Sequence, residues 1–317
     1  MTGLGRDHGG GLDAAVARFG GTRIGWIDLS TGINPVAFPV SNLPFDAWTA
    51  LPDKTAQANL LKAARRFWGI PEQAGLIAAP GASAVIAQIP QVLPKGTVCI
   101  PEPTYNEHAA AFRTYEWEVT QAGPADVQVV VHPNNPDGRQ WTQDTLPVRD
   151  ATLTIIDESF CDIAPSLSLI DSAGRPGTLV LKSFGKFWGL AGMRLGFLAG
   201  DPELIDRLAD TLGPWAVSGP ALHIGTQALS DLDWARATRD RLSEDAARLD
   251  ALMQIAGAKV VGGTPLFRLY DVGEAIEWQT RLAQHKIWSR TFPYAPGWLR
   301  LGLPHPLHWP RVEAALA

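Results

Sequence analysis

Three short runs in the middle of the chain constrain the fold more than any other feature: Val127–Val131 (VQVVV), Thr152–Asp157 (TLTIID) and Thr178–Ser183 (TLVLKS). Each is five or six residues long and almost wholly apolar. A strand with one wet face alternates apolar and polar residues, whereas a strand covered on both faces does not. The runs therefore predict a mostly parallel sheet flanked by helices, an α/β architecture. Weaker strand candidates are Leu76–Ala79, Val98–Ile100 and Leu195–Ala199.

Helical periodicity covers Ala56–Trp68, where Leu60, Leu61, Ala64, Phe67 and Trp68 share a face before Gly69 and Pro71 stop the pattern. A longer helix is predicted over Trp234–Ile255, with Leu242, Leu249, Leu252 and Met253 inside and charges outside. After Gly257 come short strand-like pieces, Val260–Val261 and Leu266–Tyr270, and a helix near Ala275–His285. That change of pattern suggests a smaller α+β domain. The expected division is a large domain over 36–215, with 1–35 and 216–317 forming an N-terminal segment plus the small domain. The glycine-rich N-terminal segment is expected to lie across the domain junction.

A chain of 317 residues is long enough for two such domains. A net charge of −5 argues against a general nucleic-acid binder but leaves room for a local basic pocket. Cys99 and Cys161 lie in apolar segments without metal-ligand or redox spacing, so both read as small buried hydrophobes and no metal site is expected. The first residues lack the apolar core of a secretory signal. No run approaches the ~18 apolar residues of a membrane span. A cytoplasmic location without membrane partners is the expectation.

The densest chemistry lies in Ser183-Phe-Gly-Lys186-Phe-Trp-Gly-Leu-Ala-Gly-Met-Arg194-Leu-Gly196. A lysine at the end of a buried strand, among Phe184, Phe187, Trp188 and Leu190, is desolvated in favour of its neutral, nucleophilic form. Strand ends of α/β sheets are also where ligands bind. Upstream, His132-Pro-Asn-Asn135-Pro-Asp-Gly138 follows the VQVVV run and by itself reads equally as a plain turn. Asp157-Glu158 closes the TLTIID run, where a carboxylate is costly unless paired; a cap for the next segment suits Glu158 and Ser159 better. Gly81-Ala82-Ser83 opens a helical run, with Ser83 the expected N-cap, and such a turn presents free N–H groups to a phosphate. Tyr105, in Pro-Glu-Pro-Thr-Tyr, reads as a core or a ligand-stacking aromatic.

These motifs, from Gly81 to Gly196 and in this order, resemble the fold-type I pyridoxal 5′-phosphate (PLP) enzymes of the aspartate aminotransferase superfamily. Within it the match is to the branch that holds histidinol-phosphate aminotransferase and threonine-phosphate decarboxylase. The resemblance implies that Lys186 carries the cofactor as a Schiff base. By the same token Gly81, Ala82, Ser83, Ser183 and Arg194 hold its phosphate, Asp157 its pyridine nitrogen and Asn135 its ring oxygen, while Tyr105 stacks on its face. The family often has a tyrosine three residues beyond the aspartate, where this chain has Phe160; Asn135 then becomes the main partner of the ring oxygen.

Substrate contacts are implied at the two ends of the chain. Arg300, in Pro-Gly-Trp-Leu-Arg-Leu-Gly, resembles the arginine that binds the substrate carboxylate, and two parallel hydrogen bonds suit that task. Arg290 aligns with a phosphate-binding position. Asp7-His8-Gly9-Gly10 resembles a segment that closes over the substrate phosphate, although glycine-rich termini are commonly disordered. The Gly32-Ile33-Asn34 backbone is expected beside the carboxylate, with Asn135 also near the substrate. The implied reaction is decarboxylation of threonine phosphate to the aminopropanol phosphate used in building cobalamin, by a homodimer. The alternatives are a histidinol-phosphate or related aminotransferase, which shares every cofactor residue, and a PLP-binding protein without turnover.

Overall fold

The computed structural model describes residues 8–40 and 42–317; Asp7, which opens the His-Gly-Gly segment, lies outside the described residues. The chain divides into two compact units. One comprises Ala37–Asn135 and Arg139–Arg236, the other Met1–Val36, Pro136–Gly138 and Ala237–Ala317.

The first unit is built on a seven-stranded sheet. Its order is Gly75–Ala79, Gly196–Gly200, Thr178–Ser183, Leu153–Asp157, Val127–Val131, Thr97–Cys99, Glu118–Thr120. All neighbours pair in parallel except those of Gly196–Gly200, which runs antiparallel to both. The three apolar runs are adjacent central strands, as their lack of alternation requires. Their alternate residues enter different cores: Val127, Val129, Leu153, Ile155, Leu179 and Leu181 lie in one cluster, and Val130, Ile156 and Val180 in another.

This two-residue period sorts the polar residues at the strand ends. Asp157 and Ser183 continue the parity of Ile155 and Leu181. Glu158 and Lys182 continue that of Ile156 and Val180. The helix Ala82–Gln88 contributes Val85 and Ile86 to the first of these clusters. The first face is therefore the one that carries Asp157 and Ser183.

The second unit is α+β. Its antiparallel sheet runs Arg290–Phe292, Ala295–Gly302, Phe267–Asp271, Lys259–Thr264, and a parallel pair joins Ile27–Asp28 to Ile287–Trp288. The strand Ala295–Gly302 gave no periodic signal, because Pro296 and Gly297 open it; proline is tolerated at the start of a strand. The helix Leu12–Phe19 also escapes periodicity among its flanking glycines, yet its Leu12 and Ala15 pack with Trp26 and Ala283. The turn Pro136–Gly138 belongs to this unit, where the Gly263 amide donates to the Asp137 carbonyl at 2.8 Å. A Cβ at Gly138, at φ +74°, would collide with the Gly263 backbone. Among the described residues no helix is long and apolar enough to cross a membrane.

Candidate active site

A cavity of about 120 Å³ opens at the carboxyl ends of the central strands in the first unit. Ser83, Tyr105, Asn135, Asp157, Ser183, Lys186 and Arg194 all line it, with Phe160 beside them. Seven residues picked from five stretches of sequence thus meet at one place, on the sheet face that parity selects.

Asp157 is buried, and its oxygens are engaged differently. Oδ1 accepts from the Ser159 amide at 2.9 Å and the Ser159 hydroxyl at 2.5 Å. Oδ2 lies 2.9 Å from His108 Nε2, itself buried. Burial pushes this carboxyl up, but the hydrogen bond and charge of His108 and the two Ser159 bonds outweigh that and hold it below its usual range. Asp157 thus closes the turn onto Ser159, while the next helix, Cys161–Ile163, has Phe160 at its N-cap and no side-chain cap bond, so neither Glu158 nor Ser159 caps it. His108 is a site residue that the sequence reading missed. It stands three residues after Tyr105 on the inner face of the helix Asn106–Thr114, with its ring perpendicular to that of Tyr105.

Glu158 and Lys182 project from the other face and form a buried ion pair, with Lys182 Nζ 2.5 Å from Glu158 Oε2 and 3.7 Å from Asp162 Oδ1. Burial alone would lower the Lys182 ammonium's pKa; the two carboxylates instead hold it above its ordinary value. Asp162 accepts from Trp68 Nε1 at 2.7 Å and Trp188 Nε1 at 3.2 Å. His132, Glu158 and Cys161 bring candidate metal-ligand atoms within 4.8 Å of one another. The His132 nitrogens are already engaged, however, by the Trp141 amide and the Leu167 carbonyl, and Lys182 balances Glu158. The cluster is a hydrogen-bonded network rather than a ligand set.

Lys186 is half-buried, with its amine 5.5 Å from the centre of the Phe160 ring. Phe184, Phe187 and Trp188 are fully buried, Phe184 stacking on Trp188 at 5.1 Å, and they anchor the loop that carries the lysine. Arg194 Nη2 donates to the Ser83 hydroxyl at 2.8 Å. Ser83 is not the expected N-cap: that position is Gly81, at φ +85°, and Ser83 lies inside the helix Ala82–Gln88 with its oxygen turned to Arg194. A Cβ at Gly81 would run into the Arg194 guanidinium, and one at Gly196 into the Ala82 backbone. Both positions therefore require glycine for the close approach of Arg194 and of the strand Gly196–Gly200 to the start of the helix.

The second unit holds the other expected site residues. Arg300 is buried and donates from Nη2 to the Ser30 carbonyl at 2.7 Å. Arg290 faces Arg300 directly across the strand pair, which puts both guanidinium groups on one face, near the Phe292 ring. Gly9 and Gly10 are half-buried and His8 is exposed. Gly32 and Asn34 are buried and Ile33 is half-buried; Asn34 Oδ1 accepts from Arg241 Nη2 at 2.6 Å.

Residues 115–306 match the family model described as aminotransferase class I and II. A threonine-phosphate decarboxylase of a Sinorhizobium species is 40% identical over 93% of this chain and 92% of its own length. A threonine-phosphate decarboxylase of Pseudomonas aeruginosa is 37% identical over 98% of this chain and 97% of its own. Among solved structures, histidinol-phosphate aminotransferase from Sinorhizobium meliloti in complex with pyridoxal 5′-phosphate superposes with a TM-score of 0.78 at 17% identity. That superposition covers 100% of this chain and 96% of the other.

Proposed function

The chain belongs to the aminotransferase class I and II family, and from that membership we propose that it decarboxylates L-threonine O-3-phosphate to (R)-1-amino-2-propanol O-2-phosphate with PLP as cofactor. The decarboxylation rests on the two threonine-phosphate decarboxylases 37–40% identical over nearly the whole chain; for the cofactor one observation carries the reading: a single cavity gathers an amine, a buried carboxylate, and Ser83, Ser183 and Arg194 as groups for an anion. A flat, phosphorylated aldehyde with a basic ring nitrogen needs those three groups. Gly81 lets the Arg194 guanidinium close onto the start of the helix Ala82–Gln88, beside Ser83.

Bound PLP supplies an aldehyde that captures amines and a ring that delocalises the electron pair left when CO2 departs. The protein's groups do the rest. Ser83, Ser183 and Arg194 would hold the phosphate, Arg194 through charge-assisted bonds. Asp157, kept ionised, would pair with a protonated ring nitrogen, and His108 positions Asp157 from its Oδ2 side. Asn135 would hold the ring oxygen, a task in which Phe160 has no hydroxyl to share, and Tyr105 would cover the ring. Lys186 would carry the cofactor and, as a free amine, would hold the proton for Cα.

In the second unit, Arg300 would take the substrate carboxylate, with the Gly32–Asn34 backbone beside it. Arg290 and the His8-Gly9-Gly10 segment take the substrate phosphate. The two guanidinium groups share one face of the strand pair, which suits a substrate with two anionic ends.

The test is incubation of PLP-loaded enzyme with L-threonine O-3-phosphate and no oxo acid. CO2 and the amine should form in equal amounts, without accumulation of pyridoxamine phosphate. Build-up of pyridoxamine phosphate and a need for 2-oxoglutarate would mark an aminotransferase. On the same reading the enzyme works in the cytoplasm as a homodimer. Phe45, Trp48, Leu51 and Trp215 are each more than half exposed, as large apolar side chains at a subunit contact would be in one chain alone. Sedimentation of the active enzyme should give twice the chain's mass; an active single chain would contradict it.

A further inference from the structure

Ser30, 1% exposed, is the meeting point of three separate stretches of the second unit. Its carbonyl accepts from Arg300 Nη2 at 2.7 Å. Its hydroxyl accepts from the Gly10 amide at 2.7 Å and donates to Asp28 Oδ1 at 2.6 Å. Its own amide donates to the same carboxylate oxygen at 2.9 Å. The chain around it is pinned on both sides: the Leu29 amide donates to the Trp288 carbonyl at 2.8 Å, and the Gly302 amide to the Leu29 carbonyl at 2.7 Å.

Sterics add to these bonds. A Cβ at Gly302 would strike the Thr31 carbonyl, and one at Gly9 the Ser30 carbonyl. Gly9 therefore lies directly against the peptide that Arg300 grips, an approach that a side chain forbids. A hydroxyl can donate and accept at once. Donation to a carboxylate polarises its oxygen and strengthens its hold on the Gly10 amide.

We propose that Ser30 is a positioning residue that locks the Gly9–Gly10 segment onto the backbone held by Arg300, so that the groups for the two anionic ends of the substrate act as one unit. The inference rests on the reading of Arg300 and of the His8-Gly9-Gly10 segment given above, and adds the device that couples them. A substrate with two anions at fixed separation gains from donors fixed relative to each other. An unphosphorylated amino acid meets only one of them and gains nothing from the lock. Ser30 therefore sets the preference for phosphorylated over plain amino acids.

The test uses PLP-loaded Ser30→Ala, Ser30→Thr and Asp28→Asn enzymes. Three quantities are measured: kinetics with L-threonine O-3-phosphate, inhibition by plain L-threonine, and hydrogen exchange at the Gly10 amide without substrate. Ser30→Ala should raise KM for the phosphorylated substrate about tenfold while kcat stays within about twofold. The inhibition constant of L-threonine should not move, and Gly10 should exchange faster. Ser30→Thr, which keeps a hydroxyl, should restore KM, and Asp28→Asn should fall between. Unchanged KM and unchanged Gly10 exchange in Ser30→Ala would overturn the proposal. So would equal losses toward both amino acids together with a lower Tm, the mark of a purely structural serine. If the unaltered enzyme releases no CO2 from L-threonine O-3-phosphate, the parent reading fails, and the exchange rate at Gly10 still decides whether Ser30 is the lock.

Discussion

Each oxygen of the Asp157 carboxylate has its own partner, the Ser159 turn for Oδ1 and the His108 ring for Oδ2. The result is a buried carboxyl held below its ordinary value. A group depressed in the folded state stabilises above its unfolded pKa, about 3.9 for aspartate, and loses that stabilisation as pH falls through the folded value. Urea unfolding of the cofactor-free protein should therefore weaken below about pH 4, more steeply in the native protein than in Asp157→Asn. Parallel pH profiles for the two proteins would contradict the assignment. Asp157 was legible from sequence because a charge at the end of so apolar a strand needs a reason. His108 was not, since its role depends on a helix lying across the sheet, which local spacing does not state. Ser83 was legible as a site residue but not in its manner: Gly81 at positive φ starts the helix two residues earlier than a cap at Ser83 would, freeing the hydroxyl for Arg194.

At the level of elements, one alternation rule does most of the sorting. Adjacent residues at two strand ends point to opposite faces, so Asp157 and Ser183 line the cavity while Glu158 and Lys182 pair behind the sheet. The pair joins neighbouring strand ends, and Asp162 extends it to Trp188, two residues beyond Lys186. Removing the cation leaves carboxylates buried without a counter-charge, which costs about 3–5 kcal/mol. Lys182→Met should lower unfolding stability by about that amount in urea titration, and a change below about 1 kcal/mol would show that the network is dispensable. The central strands were plain in the sequence because burial on both faces leaves an unbroken apolar run. The helix Leu12–Phe19 and the strand Ala295–Gly302 were hidden by glycine and proline at their ends, and only their packing partners reveal them.

For the whole molecule, the sequence order of Ser83, Tyr105, Asn135, Asp157, Lys186 and Arg194 was enough to anticipate one shared cavity, while Gly81, expected with them, is not among its lining residues. The sheet brings the carboxyl ends of its strands together, so motifs that follow strands converge. The substrate end of the account was less legible. Arg300, Ser30 and Gly10 come from stretches joined only by long-range strand pairing, and nothing local in the chain announces their contact. The whole reading turns on which lysine captures the cofactor aldehyde, since two lysines, 182 and 186, stand four residues apart with opposite surroundings. The direct measurement is borohydride reduction of the PLP-loaded enzyme followed by peptide mass mapping. The account predicts loss of the yellow absorbance with a single phosphopyridoxyl group on Lys186, and a label on Lys182, on any other lysine or on none would contradict it.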